Sequence, residues 1–270
     1  MNRSSLVGVV LLLAAAPPAE AQPWPGRSVP LPTLVEPAIA IVPFGPGERA
    51  EYQVKLGIFS VGDGLMEVSG IEPVRGRPSY RFSWQIEGGI PFARVNDHFQ
   101  SWMDIETLAS RRFIQEIHEV RYHRYRHFEI YPEEGRWELL GAGEEEEFTV
   151  PIPLDDIAFV YFVRTLPLEV GETYEFELYF RQDRNPVTLQ VLRRERITVP
   201  AGTFDTIVIR PIIKSDGLFG EGGDAELYFT DDERRMLVRL ESRVLSIGSL
   251  SLHLREYREG RPLRTEAAAH

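Results

Sequence analysis

The chain has 270 residues, 43% of them hydrophobic and 26% charged, and it has no cysteine. This is the make-up of a globular protein with a sizeable core, and it excludes a disordered or fibrous chain. Lys+Arg 30 against Asp+Glu 41 gives a formal net charge of -11, which excludes nonspecific nucleic-acid binding through a cationic surface. Without thiols there is no disulfide, thiol nucleophile, iron–sulfur cluster, cysteine-ligated zinc or lipid-modified N-terminal cysteine.

In chain order, Arg3 precedes an apolar run from Leu6 to Ala16, then Pro17-Pro18 and Ala19-Glu20-Ala21. A positive start, a short apolar segment and an A-x-A site predict a signal peptide over 1–21, cut after Ala21. The run is too short for a transmembrane anchor, which needs about 20 apolar residues. The expected location is periplasmic or secreted. Seven prolines between Pro23 and Pro46 oppose helix and central strand, so 22–46 reads as an extended linker.

From Gly47 onward, apolar residues alternate with polar ones. Examples are Tyr52-Val54-Leu56-Ile58, Tyr80-Phe82-Trp84-Ile86, Tyr174-Phe176-Leu178-Phe180, Met236-Val238-Leu240 and Leu250-Leu252-Leu254. Alternation places one set on each face of a strand, as in antiparallel sheets with one buried face. Turn chemistry lies between the runs, at Gly88-Gly89, Pro132 to Gly135, Pro200 to Thr203 and Asp231 to Glu233. The expectation is an all-β domain over 47–257: an antiparallel meander of about ten to twelve strands forming a sandwich, a barrel or a strongly curved sheet. Near 155–165, Asp155-Asp156 opens an apolar stretch that Pro167 closes. This predicts one short helix, with a strand as the alternative. Residues 258–270 read as a disordered tail.

No residue set specifies catalysis, a metal or a cofactor. His123 and His127 share a strand face but lie roughly 13 Å apart, too far for one zinc with ligands at about 2 Å. Asp97 and His98 are neighbours on a strand and face opposite ways, and no G-x-S-x-G elbow accompanies them. Asp104 with Glu106 reads as a turn, Glu144 to Glu147 as a solvated face or an edge-strand guard, and Asp216, Glu221 and Asp224 as a hairpin without calcium-loop spacing. Aromatics are 11% of the chain. They read as core packing or as the lining of an apolar cavity. Under the second reading the ligand-binding candidates are Trp84, Trp102 and Arg210, the arginine pairing an acidic ligand group or closing a structural ion pair.

Several stretches together resemble the DUF3108 family, bacterial exported domains of unknown function. They are Gly47-Glu48-Arg49-Ala50-Glu51-Tyr52, Gly62 to Val68, Asp97 to Asp104, Arg164-Thr165-Leu166-Pro167-Leu168-Glu169-Val170-Gly171-Glu172, Val199 to Thr206 and Leu227 to Arg235. The resemblance spans about 47–257 and implies export and a β-rich fold. It implies no activity and no site residues. The functional expectation is a noncatalytic envelope protein holding an apolar or amphipathic molecule such as a lipid. The alternatives are a structural or interaction protein with a filled core, and an enzyme acting on glycans.

Overall fold

The computed structural model describes residues 27–29, 42–90, 93–119, 122–213, 224–244 and 248–263. The expected signal peptide and the Asp216–Glu221 part of the calcium question lie outside them. The described strands form one sheet of 15. Its first meander is β2 (Arg49–Leu56), β3 (Phe59–Val74), β4 (Arg77–Ile90), β5 (Ala93–Asp104), β6 (Ser110–Glu119), β7 (Tyr122–Tyr131), β8 (Arg136–Leu139) and β9 (Glu144–Glu147). The second is β10 (Glu172–Phe176), β11 (Val187–Val199), β12 (Gly202–Ile212), β13 (Asp224–Thr230), β14 (Leu237–Val244) and β15 (Gly248–Arg258). The meanders join where β15 pairs antiparallel with β2. A short strand, β1 (Arg27–Val29), adds in parallel to β10.

The expectation of an all-β antiparallel sheet with one short helix holds, and of the shapes named the structure takes the strongly curved sheet. The sheet curls strongly but does not close into a barrel, because β1 and β9 are its two edges. The strand count also exceeds the expected one. Strands as short as β1, β8 and β9 carry too few residues for a two-residue period to show. The β9 edge is four exposed glutamates, whose charge opposes addition of another strand.

The helix α1 (Asp156–Val163) lies between the meanders. Asp155 caps it, accepting from the N–H groups of Ile157 and Ala158. The same carboxylate accepts from Ser101 Oγ at 2.7 Å, and the Asp155 N–H donates to Ser110 Oγ at 3.0 Å. One residue thus starts the helix and ties it to β5 and β6. Every residue from Ile157 to Val163 is buried, as expected of a helix that is apolar all round. It packs into the hollow of the sheet, where Tyr161 stacks on Phe82 at 3.9 Å and meets Phe44 at 5.1 Å.

Part of the segment read as linker belongs to this body. Val42 and Phe44 are buried in the core, and β1 pairs with β10. At the other end the Arg261 N–H donates to Pro46 O, and Leu263 packs on the core. Prolines at 43 and 46 permit this because neither position needs a ladder N–H.

Candidate functional site

One enclosed polar cluster sits where the two meanders and the helix meet. Arg164, just past α1, donates from Nη1 to Glu48 Oε1 at 2.6 Å and from Nη2 to Glu48 Oε2 at 3.1 Å. Nη2 also reaches the carbonyls of Pro43 and Arg234. Tyr257 OH donates to Glu48 Oε2 at 3.2 Å, and Tyr52 OH to Leu237 O at 2.9 Å. Burial alone works against the Arg164 charge, but the Glu48 carboxylate outweighs it and holds the guanidinium pKa above its ordinary value. Burial raises the Tyr52 and Tyr257 hydroxyl pKa values. The cavity beside the pair, bounded by Met66, Val160, Tyr161 and Met236, has room for about one water. Glu48 and Arg164 are 116 positions apart, and no local pattern announces the pair. Both do lie in stretches that carry the family resemblance.

The three residues expected to bind ligand are not brought together. Trp84 is 4% exposed and packs in the core, and its Nε1 has no acceptor among the described residues. Trp102 lies on the adjacent strand but on the opposite face, because its cross-strand partner is Arg81 and that of Trp84 is Phe99. There Trp102 Nε1 donates to Glu72 at 3.0 Å, and the guanidinium groups of Arg81 and Arg112 lie over its ring. Arg210 donates to Glu226 Oε1 at 3.0 Å, a carboxylate also held by Arg193. That is the structural ion pair named as the second possibility for Arg210.

Among the described residues, no three His, Asp or Glu side chains are grouped to hold a metal. His118 and His123 are cross-strand partners with ring centroids 5.1 Å apart, while His127 hydrogen-bonds Glu129. Sequence spacing along one strand could not show the pairing across two. Asp104 is the turn former its position suggests, accepting from the N–H groups of Glu106 and Thr107. It is also buried between Arg77 and Arg111. Burial opposes its charge, but the two arginines and the turn N–H groups win and lower its pKa.

His98 does not pair with Asp97. Its Nε2 meets Ser83 Oγ at 2.9 Å, the first two parts of a nucleophilic array. Ser83 sits inside β4, paired with β3 and β5, so the nearby backbone N–H groups are committed to ladders. They are not free to stabilise an oxyanion.

A family profile described as a protein of unknown function, DUF3108, matches residues 51–255. The chain belongs to the DUF3108 family. No curated protein is matched. Among solved structures, this DUF3108 chain is similar to a hypothetical protein from Chlamydia trachomatis, with 9% identity, 83% of this chain and 93% of that chain covered, and a TM-score of 0.36. It is also similar to an exported-protein candidate with a YmcC-like fold from Bacteroides fragilis, with 10% identity, coverage of 82% and 100%, and a TM-score of 0.29. A lipoprotein candidate from Parabacteroides distasonis has 12% identity, coverage of 81% and 99%, and a TM-score of 0.27.

Proposed function

We propose that this DUF3108 chain is a noncatalytic protein of the periplasm or extracellular space that works by surface interaction, with a filled core as its scaffold. The observation that carries the reading is the interior. Trp84, Tyr80, Phe82 and Tyr161 are packed within the curl, and the cavity beside Arg164, among the described residues, has room for about one water. A drug-sized or lipid ligand needs a pocket of about 300 Å³ or more. The apolar run before Ala19-Glu20-Ala21 supports export, and no described helix is long and apolar enough to cross a membrane.

One observation favours the competing reading, retention of an amphipathic molecule. The Trp84 Nε1 donor is buried without an acceptor, and such a group gains from a partner. In that reading Trp84 would touch the ligand from within the curl, whereas Trp102 and Arg210 would join it only at a second contact on the outer face. Native mass spectrometry of the exported protein separates the two. The interaction reading expects the bare polypeptide mass, and a lipid retained in stoichiometric amount would overturn it.

A further inference from the structure

The turn between β2 and β3 is built unlike the turns at the other end of the sheet. Leu56 pairs with Phe59 across a two-residue loop of Gly57 and Ile58. Gly57 has φ 59 and Ile58 is not among the positive-φ residues. That is a turn with glycine required at its first central position and no demand on the second. The loop geometry therefore accounts for Gly57 but not for Ile58, which is 87% exposed, or for Phe59, which is 69% exposed. At the opposite end the Arg75-Gly76 turn is tied down, because Arg75 ion-pairs Glu129 and donates to Arg111 O.

The antiparallel register places the Leu56/Phe59, Ile90/Ala93 and Glu119/Tyr122 strand ends at one end of the sheet, successive pairs lying about 10 Å apart. This end also carries Tyr122, 48% exposed, and Tyr125, 62% exposed. Most arginines of the described residues are held by carboxylates, as at Arg77, Arg111, Arg196 and Arg255. On β2, β5 and β7, by contrast, Lys55, Arg94 and Arg124 have no ion-pair partner among the described residues. Two acids on these neighbouring strands, Glu87 and Glu116, are likewise unpaired, while Asp63 is taken by Arg255. The three named cations against two unpaired acids leave only a small local excess of positive charge in a chain of net charge -11, but next to a protruding apolar tip and exposed tyrosines it is a combination that suits a lipid surface. The apolar tip enters the acyl boundary, tyrosine rings sit at the headgroups, and cations meet anionic lipid.

We infer that this end of the sheet docks reversibly on an anionic bilayer surface, with Ile58 and Phe59 as the inserting residues and Lys55, Arg94 and Arg124 as headgroup contacts. The inference rests on the surface-interaction reading and names its partner. The test is co-sedimentation of the exported protein with phosphatidylcholine vesicles, with and without added phosphatidylglycerol. N-terminal sequencing of the same sample separates a failure of export from a failure of docking. Wild type is expected to bind vesicles containing phosphatidylglycerol more tightly. The double variant Ile58→Ser/Phe59→Ser is expected to lose ~10-fold or more in affinity for both compositions while melting like wild type, since both residues are exposed. Arg94→Gln with Arg124→Gln is expected to weaken binding several-fold to the anionic vesicles alone. Wild type that leaves both vesicle types unbound would overturn the inference and leave the tip to a protein partner. Undiminished binding by the Ile58/Phe59 variant would overturn it as well.

Discussion

The two faces of the curled sheet solve different problems with similar residues. On the inner face Tyr80, Phe82 and Trp84 join the core, where Phe82 stacks on Tyr161 of the helix, and the charged pair Arg164–Glu48 is enclosed among tyrosines. On the outer face Trp102 and Tyr228 lie beneath arginines that are themselves held by Glu72, Glu129 and Glu226. An aromatic ring inside supplies burial. The same ring outside is a platform for guanidinium groups that remain partly wet. The comparison shows that counting aromatics overstates the interior, because some of them cover the outside of the sheet.

Breaking a charge on the inside should produce the largest effect on this contrast. Arg164→Met leaves Glu48 buried without its partner and is expected to cost about 3–5 kcal/mol in urea unfolding. Adding Glu48→Gln removes the stranded charge, so the double variant should recover much of the loss. Equal losses in the single and double variants would mean that packing, not charge, dominates there.

The next effect is at the helix cap. Burial is the main cause that raises the Asp155 pKa, to about 6 from an ordinary 3.8. The folded state then holds the proton more tightly than the unfolded state, so this residue's contribution is fullest below pH 3.8 and falls as pH rises toward about 6. Asp156 is raised by burial too, so its contribution has the same sign. Asp155→Asn keeps an N-cap acceptor without the charge. Melting curves should show a flatter pH profile for this variant across that window. Asp155→Ala should lose about 1–2 kcal/mol by removing the cap. An unchanged pH profile in Asp155→Asn would contradict the assignment.

The smallest effect belongs to the outer face. Arg210→Ala leaves Glu226 with Arg193, and its own side chain is 30% exposed. The expected loss is about 0–1 kcal/mol by urea unfolding. A loss several times larger would mean that the outer pairs act as a buried network.

The sequence made the inner face legible wherever alternation was unbroken, as from Tyr80 to Ile86, and it made α1 legible through Asp155, Asp156 and Pro167. It failed where both faces are filled. Phe99, Trp102 and Met103 occupy both parities of β5, so period alone could not assign the face of Trp102. Ile207, Val208 and Ile209 are all buried, which hid the outward ion pair of Arg210. The Arg164–Glu48 pair was not readable because it depends on segments 116 positions apart coming together as the sheet curls around the helix. The exposed Ile58 looked like one more apolar position in the alternation of β2, since sequence does not show that the strand ends at Leu56.

The central claim is that the interior is packed and not a ligand chamber. It is tested most directly by urea unfolding of wild type and Trp84→Ala, each with and without fatty acid or phospholipid. The account predicts a loss of about 3–5 kcal/mol for the variant and no ligand-dependent shift in either protein. A much smaller loss, together with a wild-type stability that rises with ligand concentration, would contradict it.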